Sequence, residues 1–422
     1  MKYIFFNQNT AIRTATFTTA RPLREFESMS VVKRQRIQSI DLLRGIVMII
    51  MALDHVRGYF HADAFLYSPT DLDRTSVFLF FTRFITHYCA PVFVFLAGIS
   101  AYLYGVNKSR RELAWYLFTR GVWLVFVELF IISLVLTFNP AYPMFNLQVI
   151  WAIGISMIVL SAMVYLPRYI ILVAALLLIA CHNMLDTIHV PGSSNVSFFW
   201  ALLHEDKDFV FGHFKVFVHY PVIPWIGIIA FGYCLGSLYN KSYDASKRKM
   251  TLFITGCIFL MMFVFLRSPN LYGDPVKWSG QKDIVFTILS LFNVSKYPPS
   301  LLYIFITLGP ALIFLSLAEQ PLNSFTKRVA VFGRVPFFYY VAHLFVIHAL
   351  AMFAALVLGY NWSDMILTTR VNRVEGLKGY GFSLPVVYFV WFGLICFLYP
   401  FCKWFDKYKR SWQGERRWLS YV

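Results

Sequence analysis

Three histidines, His55, His87 and His343, stand inside long apolar stretches of the sequence, and Arg44, Arg83, Arg120 and Arg334 share those stretches. Ionisable side chains at membrane depth are costly, and each marks a functional site by default. An imidazole exchanges a proton near neutral pH and can act as a general base. A guanidinium binds phosphate through planar, paired donors. Counted along a helix, His55 lies about 17 Å beyond the start of the first stretch, His87 about 15 Å in from the end of the second, and His343 about 18 Å along the ninth. The three therefore reach similar depth. Arg44, Arg120 and Arg334 fall nearer the opposite, inner surface.

An arginine-lined inner half leading to a histidine-lined middle suits a phosphate-bearing donor whose reactive end sits on a long, thin arm, and coenzyme A has that shape. Asp54, beside His55 in sequence, is expected to orient its ring. Other readings stay open: Arg44 and Arg334 can snorkel to headgroups, and Arg120 and Glu128 can pair with buried charges to fix helix packing. Trp151 and Trp225 offer flat faces for a sugar, a role that ordinary packing residues share. His61 and His348 face the outer interface on the same depth count. The histidines lie on separate helices without H-x-x-x-H spacing, so no metal is expected. Walker loops and G-x-S-x-G elbows do not occur in the chain.

The elements that must carry these residues are hydrophobic helices. Of the 422 residues, 59% are hydrophobic and 14% charged, and the mean hydropathy is +0.61. That composition excludes a soluble globular domain and, with runs of about twenty apolar residues, points to an all-α polytopic membrane bundle. Ten spans are drawn at 42–61, 77–105, 113–136, 147–166, 169–186, 221–239, 250–266, 300–318, 331–357 and 384–402, with an eleventh left open; the apolar segment 284–294 is too short to cross and reads as an interfacial or re-entrant piece on the outer side. Loops on the side of residues 1–40 hold 23 Lys and Arg against 11 on the other side. The positive-inside bias puts both termini in the cytoplasm and accounts for the net charge of +17 without nucleic acid. The long outer loops 187–220 and 267–299 are either a cap over a vestibule or solvated connectors.

All six cysteines fall in apolar segments, so neither a disulfide framework nor a C-x-x-C site is expected. Residues 1–37 form a basic segment in which Met29 is an alternative start, 38–405 the transmembrane domain, and 406–422 a basic tail.

Several stretches together resemble a known family: SIDLLRG (39–45), MIIMALDH (48–55), THYCAPVFVFLAGISAYLYG (86–105), LQVIWAIGISM (147–157), HNMLD (182–186), YPVIPWIGIIAFGYCLG (220–236), KYPPSLLY (296–303) and FGRVPFFYYVAHLFVIH (332–348). The chain is similar over about residues 35–405 to the heparan-α-glucosaminide N-acetyltransferase-like bacterial membrane proteins, within a wider transmembrane acyltransferase superfamily. The resemblance implies acyl transfer across a membrane, from cytoplasmic acyl-CoA to an amino sugar or glycan on the other side. In the related acyltransferase-3 family an R-G-x9-H pattern supplies the proposed catalytic His, and Arg44-Gly45 followed by His55 has that spacing. Phe95 to Gly98, followed by Arg120, is similar to that family's donor-side pattern. Lys296 and Tyr297 head a matching stretch and are expected at the acceptor.

These readings converge on a multi-pass acyltransferase of the bacterial inner membrane, acetyl-CoA its co-substrate and a glycan its acceptor. His55 is the expected base, Asp54 its support, with His87 and His343 positioning the reactants. Arg44, Arg120 and Arg334 would hold the donor, and Trp225, Trp151, Lys296 and Tyr297 the acceptor. The lipid bilayer is the expected surrounding, and a homodimer is left open. The rival is a transporter of a small sugar or organic anion that uses the same buried His and Arg groups.

Overall fold

The computed structural model describes residues 37–412, so the basic segment with Met29 and the end of the tail lie outside the described residues. α1 (Gln38–Phe60) is followed by α2 (Val77–Thr86), whose first turn is capped by Ser76. The span expected over 77–105 is present as one apolar helical segment with a local break inside it, where His87 and Tyr88 separate α2 from α3 (Cys89–Gly105). Pro91 explains the break, because its ring nitrogen cannot donate to the carbonyl of His87 four residues back. α4 (Arg110–Phe126) opens with a capping box, Ser109 accepting from the Glu112 amide while Glu112 accepts from the Ser109 amide. It runs through a π-helical turn, Val127–Ile132, into α5 (Ser133–Thr137).

Strand β1 (Met144–Leu147) leads into α6 (Val149–Met163) and α7 (Arg168–Cys181). α8 (Asn195–Leu203), β2 (Lys207–Phe211) and β3 (Phe214–Val218) fill the next connection. There follow α9 (Val222–Leu235), α10 (Ala245–Arg267), α11 (Ile284–Phe292), α12 (Leu301–Leu317) and α13 (Ser324–Arg334). α14 (Pro336–Val357) and α15 (Leu384–Ser411) complete the described chain.

The expectation of an all-α protein needs correction. β1 pairs in parallel with β3, which pairs antiparallel with β2, giving a three-stranded sheet in the order β1-β3-β2. The hairpin turns at Gly212, whose φ of +56° favours glycine. Its inward residues Phe209, Val216 and Val218 form a small separate core with Leu147 and Ala201. Arg370 places its guanidinium over the Phe217 ring, 4.4 Å from the centroid, and bonds Asp208. The 187–220 connection is thus folded, with a helix, a hairpin and a small core of its own, rather than a simple solvated connector.

Among the described residues, seven helical segments are long and apolar enough to cross a membrane: Val77–Gly105, Arg110–Thr137, Arg168–Leu185, Val222–Tyr239, Ala245–Arg267, Pro336–Val357 and Leu384–Ser411. Val149–Met163 and Leu301–Leu317 are shorter apolar helices. α1 has the length but carries Asp41, Arg44, Asp54, His55 and Arg57. Large apolar side chains such as Phe389, Phe392, Met261 and Phe353 are exposed on the outside, as a lipid-facing surface requires. The protein is membrane-embedded.

Close helix packing depends on small residues. A Cβ on Gly45 of α1 would fall 2.2 Å from the Val329 carbonyl oxygen, and one on Gly333 of α13 would fall 1.9 Å from that of Asp41. Glycine pairs close three other crossings: Gly98 with Gly232, Gly121 with Gly154, and Gly256 with Gly309. The single span expected over 331–357 ends instead at Arg334, and Pro336 starts α14 as a first-turn proline. α1, packed against α13, α14, α15 and α3, is the element around which the charged groups gather.

Candidate active site

The densest group of buried charges centres on Asp54 of α1. Its carboxylate pairs with Arg57 one turn along the same helix and with Arg83 of α2, whose Nη1 donates to both oxygens at 3.0 and 2.8 Å. Thr86 adds a hydroxyl at 3.2 Å, and Arg57 also donates to Thr82 at 3.0 Å. Asp54 therefore serves two arginines rather than orienting His55 as expected. Adjacent residues on a helix point about 100° apart, which sends the His55 ring elsewhere.

That ring lies against His343 of α14, with centroids 5.2 Å apart, and against Tyr340 at 6.4 Å. His343 is fully buried and its Nδ1 sits 2.8 Å from the Tyr339 carbonyl oxygen. A carbonyl only accepts, so Nδ1 carries the hydrogen and Nε2 presents its lone pair. Nε2 is buried with no partner among the described residues, as is Nδ1 of His87. Buried polar atoms are nearly always paired in folded proteins.

His87 ends α2, its ring 5.3 Å from that of Tyr303 and its backbone carbonyl accepting the Tyr303 hydroxyl at 2.7 Å. The loop before α12 adds Lys296 and Tyr297. Lys296 is buried, its ammonium 5.2 Å from the Tyr297 ring centre, and Arg83 approaches the same ring at 5.8 Å. Tyr297 also touches Tyr220 and His219, and Tyr220 stacks on the fully buried Trp225 at 5.1 Å. Asp54, His87, Lys296, Tyr297 and Trp225 thus line one continuous patch, with His55 and His343 on its α1 and α14 side.

Glu128 occupies the π-helical turn, fully buried. Its Oε2 accepts the Trp151 amide at 2.9 Å in the first turn of α6, where the amide dipoles favour an anion. Glu128 thus binds a helix terminus, and Trp151 is engaged there through its backbone.

The arginines expected at the donor separate into two places. Arg44 donates to the Gly333 carbonyl at 3.3 Å and to Ser100 at 3.1 Å, and Arg334, one residue beyond Gly333, pairs with Asp406 at 2.8 Å. The crossing of Gly45 with Gly333 brings these two together. Arg120 sits half-buried on α4 beside Gly121, positioned by the α4 and α6 crossing.

Arg57, Arg83, Thr86 and Tyr303 are members of the site that the sequence reading did not single out for it. Arg57 lies within the first span drawn, 42–61, and its i,i+3 spacing from Asp54 signals a helical pair. Arg83, Thr86 and His87 share a helix face by their spacing of three and four.

A family model described as Heparan-alpha-glucosaminide N-acetyltransferase, catalytic, matches residues 36–268, more than half of the chain. The match contains Asp54, His55, Arg57, Arg83, His87 and Trp225, while Lys296, Tyr297 and His343 lie beyond it. No curated protein matches the chain.

Proposed function

The chain belongs to the heparan-α-glucosaminide N-acetyltransferase catalytic family, and on that premise we propose that it moves an acetyl group from cytoplasmic acetyl-CoA to an amine or hydroxyl of a sugar or glycan on the other side of a bacterial inner membrane. The observation that carries this reading is the pairing of His55 with His343, whose Nε2 is buried, bare and directed by the Nδ1 contact to Tyr339. The acceptor attacks the thioester carbonyl carbon. Its N–H or O–H proton passes to the histidine pair, the C–S bond breaks, and the proton is returned to the coenzyme A sulfur, leaving the acetylated acceptor and free thiol. Arg57, Arg83 and Lys296 surround Asp54 with more positive than negative charge, which favours the charge developing on the thioester oxygen. Trp225, Tyr220 and Tyr297 form the aromatic wall proposed for the sugar.

The inner entrance falls to Arg44 and Arg334, with Arg120 on α4 as a further donor-side cation. Ten crossings with both termini cytoplasmic agree with the charge bias of the loops, and nothing among the described residues speaks for a homodimer. The test is thermal unfolding of purified protein with acetyl-CoA, CoA or a nucleotide, followed by transfer of labelled acetyl to amino-sugar acceptors. A ligand that binds the folded state raises the midpoint with its concentration. Stabilisation by CoA that Arg44→Ala and Arg334→Ala weaken by roughly tenfold or more in affinity supports the reading. Absence of any CoA-dependent shift at millimolar ligand, in protein shown to be folded, would favour a transporter.

A further inference from the structure

Away from the Asp54 cluster, the C-terminal end of α7 unwinds into a short 3-10 turn, His182–Leu185, and brings three donor groups together. His182 and Asp186 are four residues apart, and His204, the residue that ends α8, folds back onto them. One ligating atom from each lies within 4.8 Å of the other two. We infer that His182, Asp186 and His204 bind a single divalent transition-metal ion, zinc by its donor set, independently of the acetyl-transfer reading.

Four observations carry this. His182 is 3% exposed and neither of its ring nitrogens has a hydrogen-bond partner among the described residues; His204 is 2% exposed and its Nδ1 is likewise unpartnered. A histidine buried for packing alone would leave such atoms unsatisfied, whereas a metal takes one lone pair directly. The Asp186 carboxylate is held from behind, Oδ2 accepting from Asn183 Nδ2 at 2.7 Å, while Oδ1 is hydrogen-bonded to His204 Nε2 at 2.9 Å, which leaves Nδ1 as the open nitrogen of that ring. Orientation of a ligating carboxylate by an outer hydrogen bond is the usual support of a metal site. Asn183 in turn accepts the Leu301 amide at 2.9 Å, so the group is built into the junction of α7 with α12.

Two imidazoles and one carboxylate suit zinc better than the oxygen-only sets of calcium or magnesium. Tetrahedral zinc with bonds of roughly 2.0–2.1 Å holds its donors about 3.4 Å apart. Small rotations of side chains already in contact close the present spread. Three protein ligands leave a fourth position for water. The sequence expectation of no metal rested on the lack of an H-x-x-x-H pair; the H-x-x-x-D pair at 182 and 186 has the same helical spacing, with a carboxylate in place of the second imidazole.

The experiment is metal analysis of the full-length protein purified in detergent without chelator and incubated with zinc. We expect about one zinc per chain, at least fivefold less in His182→Ala and His204→Ala, and a melting midpoint that a chelator lowers and zinc restores. Asp186→Asn, which keeps size and hydrogen bonds, guards against a variant that fails to fold. Folded wild-type protein retaining less than about a tenth of an equivalent overturns the inference, as does zinc bound equally by wild type and the folded variants.

Discussion

The Tyr303 hydroxyl donates to the His87 carbonyl oxygen at 2.7 Å, and that oxygen is the one Pro91 leaves without its helical partner. The break between α2 and α3, which turns His87 into the patch, is thus closed from α12. Tyr303→Phe removes the donor from a fully buried carbonyl and is expected to destabilise the protein by roughly 1–3 kcal/mol. Pro91→Ala supplies a backbone N–H that can restore the i to i−4 bond. Denaturant unfolding of both single variants and the double variant checks this: the double variant should be more stable than Tyr303→Phe alone. Simple additivity of the two losses would contradict the shared carbonyl.

Asp54 holds the buried Arg57 and the half-buried Arg83, and its removal leaves both cations without their common partner. Asp54→Ala is therefore expected to cost about 3 kcal/mol, the low end of the range for breaking a buried ion pair from one side, because Asp54 and Arg83 keep some exposure. Arg57→Gln leaves Asp54 still bound by Arg83 and Thr86, and should cost less. Midpoints of thermal unfolding in detergent rank the variants, and an Asp54→Ala protein as stable as Arg57→Gln would show that the pairings contribute little.

The histidine pair separates catalysis from donor binding. His343→Gln and His55→Gln are expected to lower turnover by roughly 10²- to 10⁴-fold, the usual contribution of a positioned base. Stabilisation by CoA should persist in both, because the inner arginines are untouched. Single-turnover transfer of labelled acetyl, measured beside the CoA-dependent melting shift, tests both halves. Loss of the melting shift together with turnover would place these histidines in the donor site instead.

Depth counting brought His55 and His343 level, and the structure sets their rings 5.2 Å apart. Helical rise and the apolar length of a span suffice for that, since both are properties of one helix at a time. Which side chain Asp54 would choose was not legible in the same way. His55 is its neighbour in sequence, but the partners that bind it are Arg57 on the same helix face and Arg83 from a second helix, a fact of packing. The sheet escaped for a different reason: β1 is separated from β3 by α6, α7 and α8 and has no local partner to reveal it, while the β2–β3 hairpin around Gly212 is short and aromatic-rich and reads as part of a loop. Breaks at Tyr88, inside the span Val77–Gly105, and at Val335 each have a proline close by, and Pro336 was the signal that the last of these stretches begins later than drawn.

Asp274 gives the pH dependence a defined sign. It lies in the connection after α10, outside the spans, and burial pushes its carboxyl above the usual range, opposed by hydrogen bonds from Ser300, Ser295 and Val276 and by the charge of Arg267. The folded state therefore binds the Asp274 proton more tightly than the unfolded chain does. Its contribution to stability is full below the unfolded value of about 4 and is lost as pH rises through the higher folded value. Asp274→Asn keeps an acceptor for Ser300 and the Val276 amide without the ionisation. Comparing melting midpoints of wild type and Asp274→Asn upward from about pH 4, the variant should gain on the wild type as pH rises and then run parallel to it. A difference between the two that is constant across that window would show that Asp274 has the same proton affinity folded and unfolded.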